Sequence, residues 1–198
     1  MFKYKEIVVN GKFMCKNQCR GVQRYTKEVL HALDRMPEAK KIRVIVPYKT
    51  NNIEKFENIR IVRFGGFLTY KLWQFIGYQI YIWTHKALSI NLSDGVPMWN
   101  MGIVAIHDIR YIDDLKKTMS LKARLGLIVT KIMSDRSVYK AEEIVTVSEF
   151  SKNEILKNYN VPSDKISVCY NAWQHLKSIS TSENILNKNS RLKKGEYY

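Results

Sequence analysis

Cysteine is scarce. Cys15, Cys19 and Cys169 are the three in the chain, an odd number that makes no disulfide framework. Three residues separate Cys15 from Cys19, but no second pair follows to complete a zinc site. A reducing cytoplasm is therefore the expected setting. Long apolar runs are missing too. No segment offers about 18 uncharged apolar residues, so no membrane-crossing helix is expected. The apolar run in MFKYKEIVVNGKF is too short for a signal-peptide core. Acidic residues are outnumbered, 18 Asp plus Glu against 33 Lys plus Arg, giving a formal charge of +15. That balance favours anionic partners: nucleic acid, an acidic membrane surface or phosphorylated substrates. What is present is ordinary. The 198 residues suffice for one good core or two very small ones, and 45% hydrophobic content argues against wholesale disorder.

Strand and helix signals alternate along the chain. EIVVN (6–10) reads as a first strand, and a polar loop leads from it into GVQRYTKEVLHALDRM (21–36). There Val22, Tyr25, Val29, Leu30 and Leu33 share a helical face, and Pro37 stops the run. IRVIVPY (42–48) and IRIVRF (59–64) are strands, and Gly65-Gly66 breaks the chain. Residues 67–87 read as one long aromatic helix. Leu72, Phe75, Ile76, Ile80 and Trp83 lie on its apolar face, and Tyr70, Trp73 and Tyr81 point elsewhere. SINLS (89–93), GIVAIHD (102–108), EIVTVS (143–148) and KISVCYN (165–171) are further strands. Residues 119–141 form a second long helix. Its stripe of Leu121, Leu125, Ile128 and Ile132 is expected to face the core, rimmed by Arg124, Lys131, Arg136 and Lys140. Ser151 and Glu154 read as the capping box of a helix over about 151–159. From about 174 the chain turns polar and aperiodic. Such alternation predicts an α/β fold, a Rossmann-like, mostly parallel sheet flanked by helices. Ligands of such sheets bind beyond the carboxyl ends of the strands. His107, Asp108, Ser148 and Asn171 all fall at such ends, and Gly21 stands where the first loop enters its helix.

RGVQRYTKEVLHAL resembles the first loop and helix of family-four glycosyltransferases. NLSDGVPMWNMGIVAIHDIRYI is similar to their strand, Pro-containing turn and apolar strand leading into His-Asp. IVTVSEFSKNEILKNYNVPSDKISVCYNA is similar to their T-V-S-x-F-S-K, helix, "VP…KI" turn and strand ending in Asn-Gly. The resemblance spans nearly the whole chain in order. Two departures stand out: Gln23 replaces the family's second loop glycine, and Tyr170-Asn171 runs on to Ala172. The resemblance implies one half of a GT-B fold. Residues 1–173 would be the acceptor-side domain, and 174–198 a linker or the start of a missing C-terminal domain that holds the nucleotide. It implies a retaining transferase, inactive as this chain alone. The enzyme would move a sugar from a nucleotide-sugar donor to a glycan or lipid-linked acceptor in surface-polysaccharide biosynthesis. No metal or other cofactor is implied, because helix N-termini and basic side chains hold the diphosphate.

The candidate site follows residue by residue. The resemblance implies that His107 contacts the donor sugar; a neutral imidazole suits hydroxyl recognition. The other reading is a strand-end histidine bonded to a backbone carbonyl. Asp108 either fixes that imidazole or an acceptor hydroxyl, or caps the following turn. Ser148 is a helix cap or a substrate contact. Asn171 is a turn residue or a cleft residue. Gly21 and Val22 offer backbone donors that suit a phosphate, or make a plain tight turn. Arg24 reaches the cleft or is solvated. Tyr25 is expected in the core. The cationic surplus also suits peripheral contact with an anionic membrane, on the inner face if the protein is cytoplasmic. Tyr70, Trp73 and Tyr81, if exposed near Lys71, would suit such an interfacial surface; core packing with solvated charges is the favoured reading for most of these residues taken singly. The alternative to an enzyme is a non-catalytic anion-binding module for nucleic acid or membrane, or a scaffold. No motif of the familiar nucleic-acid folds is visible, so no nucleic acid is expected.

Overall fold

A computed structural model describes residues 4–15, 21–51, 53–66, 68–93, 96–117 and 120–172. Among them seven strands form one sheet in the order β3-β2-β1-β4-β5-β6-β7, with every pairing parallel. The strands are β1 (Glu6–Asn10), β2 (Ile42–Pro47), β3 (Arg60–Phe64), β4 (Ala87–Asn91), β5 (Ile103–Ala105), β6 (Glu143–Thr146) and β7 (Ile166–Val168). Helices α1 (Gly21–Asp34), α2 (Tyr70–Trp73), α3 (Gly77–His85), α4 (Tyr111–Lys117), α5 (Leu121–Lys140) and α6 (Glu149–Asn158) fill the crossovers. The expected Rossmann-like α/β architecture is therefore present. The domain boundary at 173/174 and everything expected of 174–198 lie outside the described residues, as does Cys19.

Strands buried on both faces need apolar residues in succession. In β1, Val8 and Val9 supply both faces. Val9 joins Val44, Val46 and Leu30 of α1 in one cluster, and Val8 joins Ile45, Trp73, Tyr78, Tyr81 and Ile82 in another. A third cluster packs Val104, Ile144 and Ile166 of β5, β6 and β7 under Val138 of α5 and Ile155 of α6. Gly102 opens β5 with φ +55°, and a Cβ there would lie 2.1 Å from the Ser89 carbonyl oxygen. Only glycine fits that close approach.

The structure corrects four expectations. The single helix over 67–87 is two, broken between Trp73 and Gly77. Its faces are also exchanged. Leu72, Ile76, Ile80 and Trp83 are 43–50% exposed, whereas Trp73 and Tyr81 are buried. Both faces are apolar, so spacing alone could not choose between them. The aromatic face wins because its polar tips find partners. Trp73 Nε1–H donates to the Phe64 carbonyl at 2.7 Å and Tyr78 OH to that of Val8 at 3.1 Å. The Trp73 indole also wedges between Gly65 and Gly77, where a Cβ would come within 2.6 and 2.8 Å of its Cδ1. Trp73 and Tyr81 thus belong to the core and not to an interfacial surface.

The third correction concerns α5. Its Leu121, Leu125, Ile128 and Ile132 stripe faces outward, 78%, 65%, 39% and 54% exposed. The inward line is Leu127, Met133, Ser137, Val138 and Ala141, whose smaller members let the helix end approach the sheet. The fourth concerns α6, whose cap is Ser148 and not a Ser151–Glu154 box. Several strands are shorter than the apolar runs that announced them; β5 ends at Ala105, so His107 and Asp108 lie beyond it.

Candidate functional site

The site is built where β5, β6 and β7 end and α1 begins. Gly21, Val22, Arg24, His107, Asp108 and Asn171 line one cleft of about 610 Å³, together with Tyr25, Glu28, Val147, Cys169 and Tyr170. All the sequence-derived candidates except Ser148 meet there. The parallel sheet explains the convergence, since each crossover returns the chain to the same edge. Other lining residues were not foreseen as part of a site, among them Glu28, Cys169 and Tyr170. The signal for Glu28 was in the sequence. Gly21, Arg24, Glu28 and Ala32 follow one another at helical spacing and all line the cleft.

His107 is bonded to a backbone carbonyl and also lines the cleft. Its Nε2–H donates to the Leu92 carbonyl at 3.2 Å. A carbonyl can only accept, so Nε2 is the donating nitrogen, and in the Nε2–H tautomer Nδ1 is left as an acceptor. The ring packs edge-on against Tyr25, with centroids 4.8 Å apart and planes at 87°. Burial pushes the Tyr25 hydroxyl well up, and the Cys169 thiol pushes the same way. Tyr25 therefore stays neutral beside the imidazole; it is core, as expected, and also a wall of the cleft.

Ser148 acts behind His107. As N-cap of α6 it accepts the Ser151 amide at 3.1 Å and donates its own hydroxyl to Ser151 Oγ at 3.0 Å. Ser151 Oγ then donates to the His107 carbonyl at 3.0 Å. The cap reading of Ser148 is thus the one drawn by the hydrogen bonds. Replacing Ser148 by Ala should cost about 1 kcal/mol in urea denaturation. Asp at the same position should restore the stability, since it too caps. Asp108 is exposed and accepts the Arg110 amide at 3.2 Å, which is the turn-capping role, while still lining the cleft. Arg24 and Asn171 are exposed.

A second hollow, of about 540 Å³, shares Val22, His107 and Asp108 with the first. It opens on the other side, toward Gln74, Tyr111 and, on α5, Val129 and Met133. Lys12 Nζ donates to Gln74 Oε1 at its edge. His107 and Asp108 thus form a wall common to two hollows. Among the described residues no group of three or more His, Cys, Asp or Glu side chains is placed to hold a metal ion, and no helix is long and apolar enough to cross a membrane.

The fold and this edge define an α/β protein with an open cleft at the carboxyl ends of its strands. The chain matches no known family profile. Over 132 residues it is 28% identical to the O-antigen chain mannosyltransferase RfbU of Salmonella typhimurium (strain LT2), a stretch that covers 65% of this chain and 34% of that protein. The chain thus spans about a third of the length of the curated relative it matches. The likeness is to a glycosyltransferase.

Proposed function

We propose that this chain is the acceptor-side domain of a retaining glycosyltransferase of the GT-B type, acting in surface-polysaccharide assembly. The donor is a nucleotide hexose and the acceptor a glycan, carried on lipid. A donor-binding domain faces the strand-end edge, and this chain transfers no sugar without it. The observation that carries the reading is the convergence of Gly21, Val22, Arg24, His107, Asp108 and Asn171 on one cleft; the similarity to a mannosyltransferase agrees with it. The α1 N-terminus offers the amides of Gly21 and Val22 to the donor diphosphate. His107 Nδ1 accepts a hydrogen bond from a sugar hydroxyl. Arg24 lies three residues along and adds positive charge near the leaving phosphate. Transfer on one face of the donor needs no protein nucleophile, because the leaving phosphate takes the acceptor proton. The acceptor occupies the hollow on the α5 side. The test is transfer of radiolabelled hexose from a nucleotide sugar to membrane glycolipid by the two-domain enzyme. Absence of transfer from every common nucleotide hexose would overturn the reading, as would robust transfer by these 198 residues alone.

The outward stripe of α5 is the membrane contact in this reading. Val129 belongs both to the acceptor hollow and to the exposed apolar surface of that helix. From Leu121 to Ser134 the helix carries Lys122, Arg124 and Lys131 and no acid. Apolar residues with a cationic rim suit an anionic bilayer surface. Leu125→Asp combined with Ile132→Asp should weaken co-sedimentation with phosphatidylglycerol vesicles about tenfold or more. Both side chains are more than half exposed, so the melting temperature should hold.

A further inference from the structure

The edge of the sheet opposite the cleft carries two tryptophans that the proposed chemistry does not use. Trp83 of α3 and Trp99, before β5, are 50% and 53% exposed. Their ring centroids lie 5.6 Å apart with planes at 38°, which makes one bent apolar strip. Beside it is a hollow of about 450 Å³ lined by Tyr4, Ile82, Trp83, Lys86, Ala87, Asn100 and Glu142. That volume is within the range of small-ligand pockets, roughly 300–1,000 Å³.

The segment displaying Trp99 is held from behind at consecutive residues. Arg136 Nη2–H donates to the Met98 carbonyl at 2.9 Å. Gln79 Oε1 accepts the Trp99 amide at 2.9 Å. Ser89 Oγ donates to the Asn100 carbonyl at 2.7 Å, and Asn91 Nδ2 to that of Met101 at 2.9 Å. Gln79, Ser89 and Asn91 are each at most 1% exposed. Gln79 also sits one turn before Trp83 on α3, so the same helix face sets both indoles. The same bonds give hydrogen-bond partners to the buried Gln79, Ser89 and Asn91 side chains. They also hold a fixed pair of exposed indoles, the preorganisation that binding rewards. Among the described residues two non-glycines have positive φ, Lys86 at 48° and Asn100 at 53°, and both line this hollow.

The geometry points to a carbohydrate-binding surface, and we propose that Trp83, Trp99, Lys86, Asn100 and Glu142 hold a neutral hexose segment of a glycan. A pyranose ring offers a C–H face to an indole and a ring of hydroxyls that both donate and accept. The rim answers with donors from Lys86, both functions from Asn100 and an acceptor from Glu142. A carboxylate at the rim disfavours an anionic lipid headgroup. This subsite rests on the glycan-acceptor reading and adds to it a grip on sugar units remote from the transfer point.

The test is isothermal titration of the 198-residue chain with α-linked mannotetraose and, separately, isomaltotetraose. Saturable binding of at least one is expected. Trp83→Ala with Trp99→Ala should weaken it about tenfold or more, given what an aromatic platform contributes. Trp83→Tyr with Trp99→Tyr should retain most of the affinity, since the flat faces remain, and its melting curve checks the fold. No binding of either sugar at millimolar concentration overturns the proposal. So does binding that survives loss of both indoles, or that disappears in His107→Ala instead. If the double variant loses vesicle co-sedimentation but no oligosaccharide affinity, the indoles serve a membrane and the proposal fails. Transfer without oligosaccharide binding removes this subsite alone; binding without transfer removes the transferase reading and leaves the subsite.

Discussion

Under the proposed function, replacing His107 by Ala in the two-domain enzyme should lower kcat/KM for sugar transfer about a hundredfold or more, with a loss of stability limited to one hydrogen bond and one ring contact, about 1–2 kcal/mol. The size follows from what one preorganised hydrogen-bonding group contributes when it acts on the reacting sugar in a site shielded from water. The imidazole is held at Nε2 by the Leu92 carbonyl and braced by Tyr25, so its Nδ1 is presented in one orientation. Ala removes that acceptor and the edge-on ring contact together. His107→Asn makes the distinction sharper. An amide can still reach a backbone carbonyl, but it lacks the ring geometry, so stability should be kept while transfer remains low. Steady-state kinetics with radiolabelled donor checks both variants. Unchanged turnover in His107→Ala would remove His107 from the site and leave only its strand-end role.

The second large effect is on folding. Asp34→Ala should destabilise the protein by about 3 kcal/mol, because it strips acceptors from three backbone donors at once. Asp34 ends α1 and is 6% exposed. Its Oδ2 accepts the Glu57 amide at 2.7 Å, and its Oδ1 accepts those of Asn58 at 2.8 Å and Ile59 at 2.7 Å. This clamp fastens the loop that feeds β3. Burial pushes the Asp34 carboxyl up, yet the amides of Ile59, Glu57 and Asn58 and the nearby His31 together hold it below its ordinary value. The sign follows from linkage. A carboxyl with a depressed native pKa binds protons more readily in the unfolded chain. Its contribution is present in full above the unfolded pKa and is lost as pH falls through the native one. Urea melts from pH 7 downward should therefore show wild-type stability falling in the acid range. Asp34→Asn should start lower and lose the part of that slope due to this carboxyl. An unaltered slope would contradict the assignment.

The legible parts of the fold were those in which one residue pattern has one solution. EIVVN and EIVT are short β-branched runs bounded by polar residues, and both are buried strands. Once the strands are parallel, the place of His107 at a carboxyl end follows. Helix existence was legible too, but not which way the helices face. Residues 70–85 are apolar nearly all round, so the choice fell to hydrogen-bond partners for Trp73 and Tyr78, in residues nine and seventy positions away. In α5 the large aliphatic stripe misled because the sheet accepts the smaller Ser137–Val138–Ala141 side. Asp34 gave no signal, since its partners lie 23 to 25 residues on. The meeting of Gly21, Val22, Arg24, His107, Asp108 and Asn171 at one edge was readable from the strand order; Cys169 and Tyr170, which follow β7, gave no signal, and Glu28 would have been found by helical spacing from Gly21.

His107 is fastened from three directions: its ring to the segment after β4 and to α1, and its carbonyl to α6 through Ser151. A residue pinned in this way does not adapt to a new ligand; under the proposed function the sugar must adapt to it. Arg24 and Asn171, by contrast, stand exposed on the rim, and Glu28 is half-buried beside them. Laboratory evolution toward a different donor should therefore accumulate its changes at these rim positions and leave His107, Ser148 and Ser151 untouched. In engineering terms the cleft divides into a fixed jaw and an adjustable one, and the adjustable jaw lies on α1 and the turn after β7.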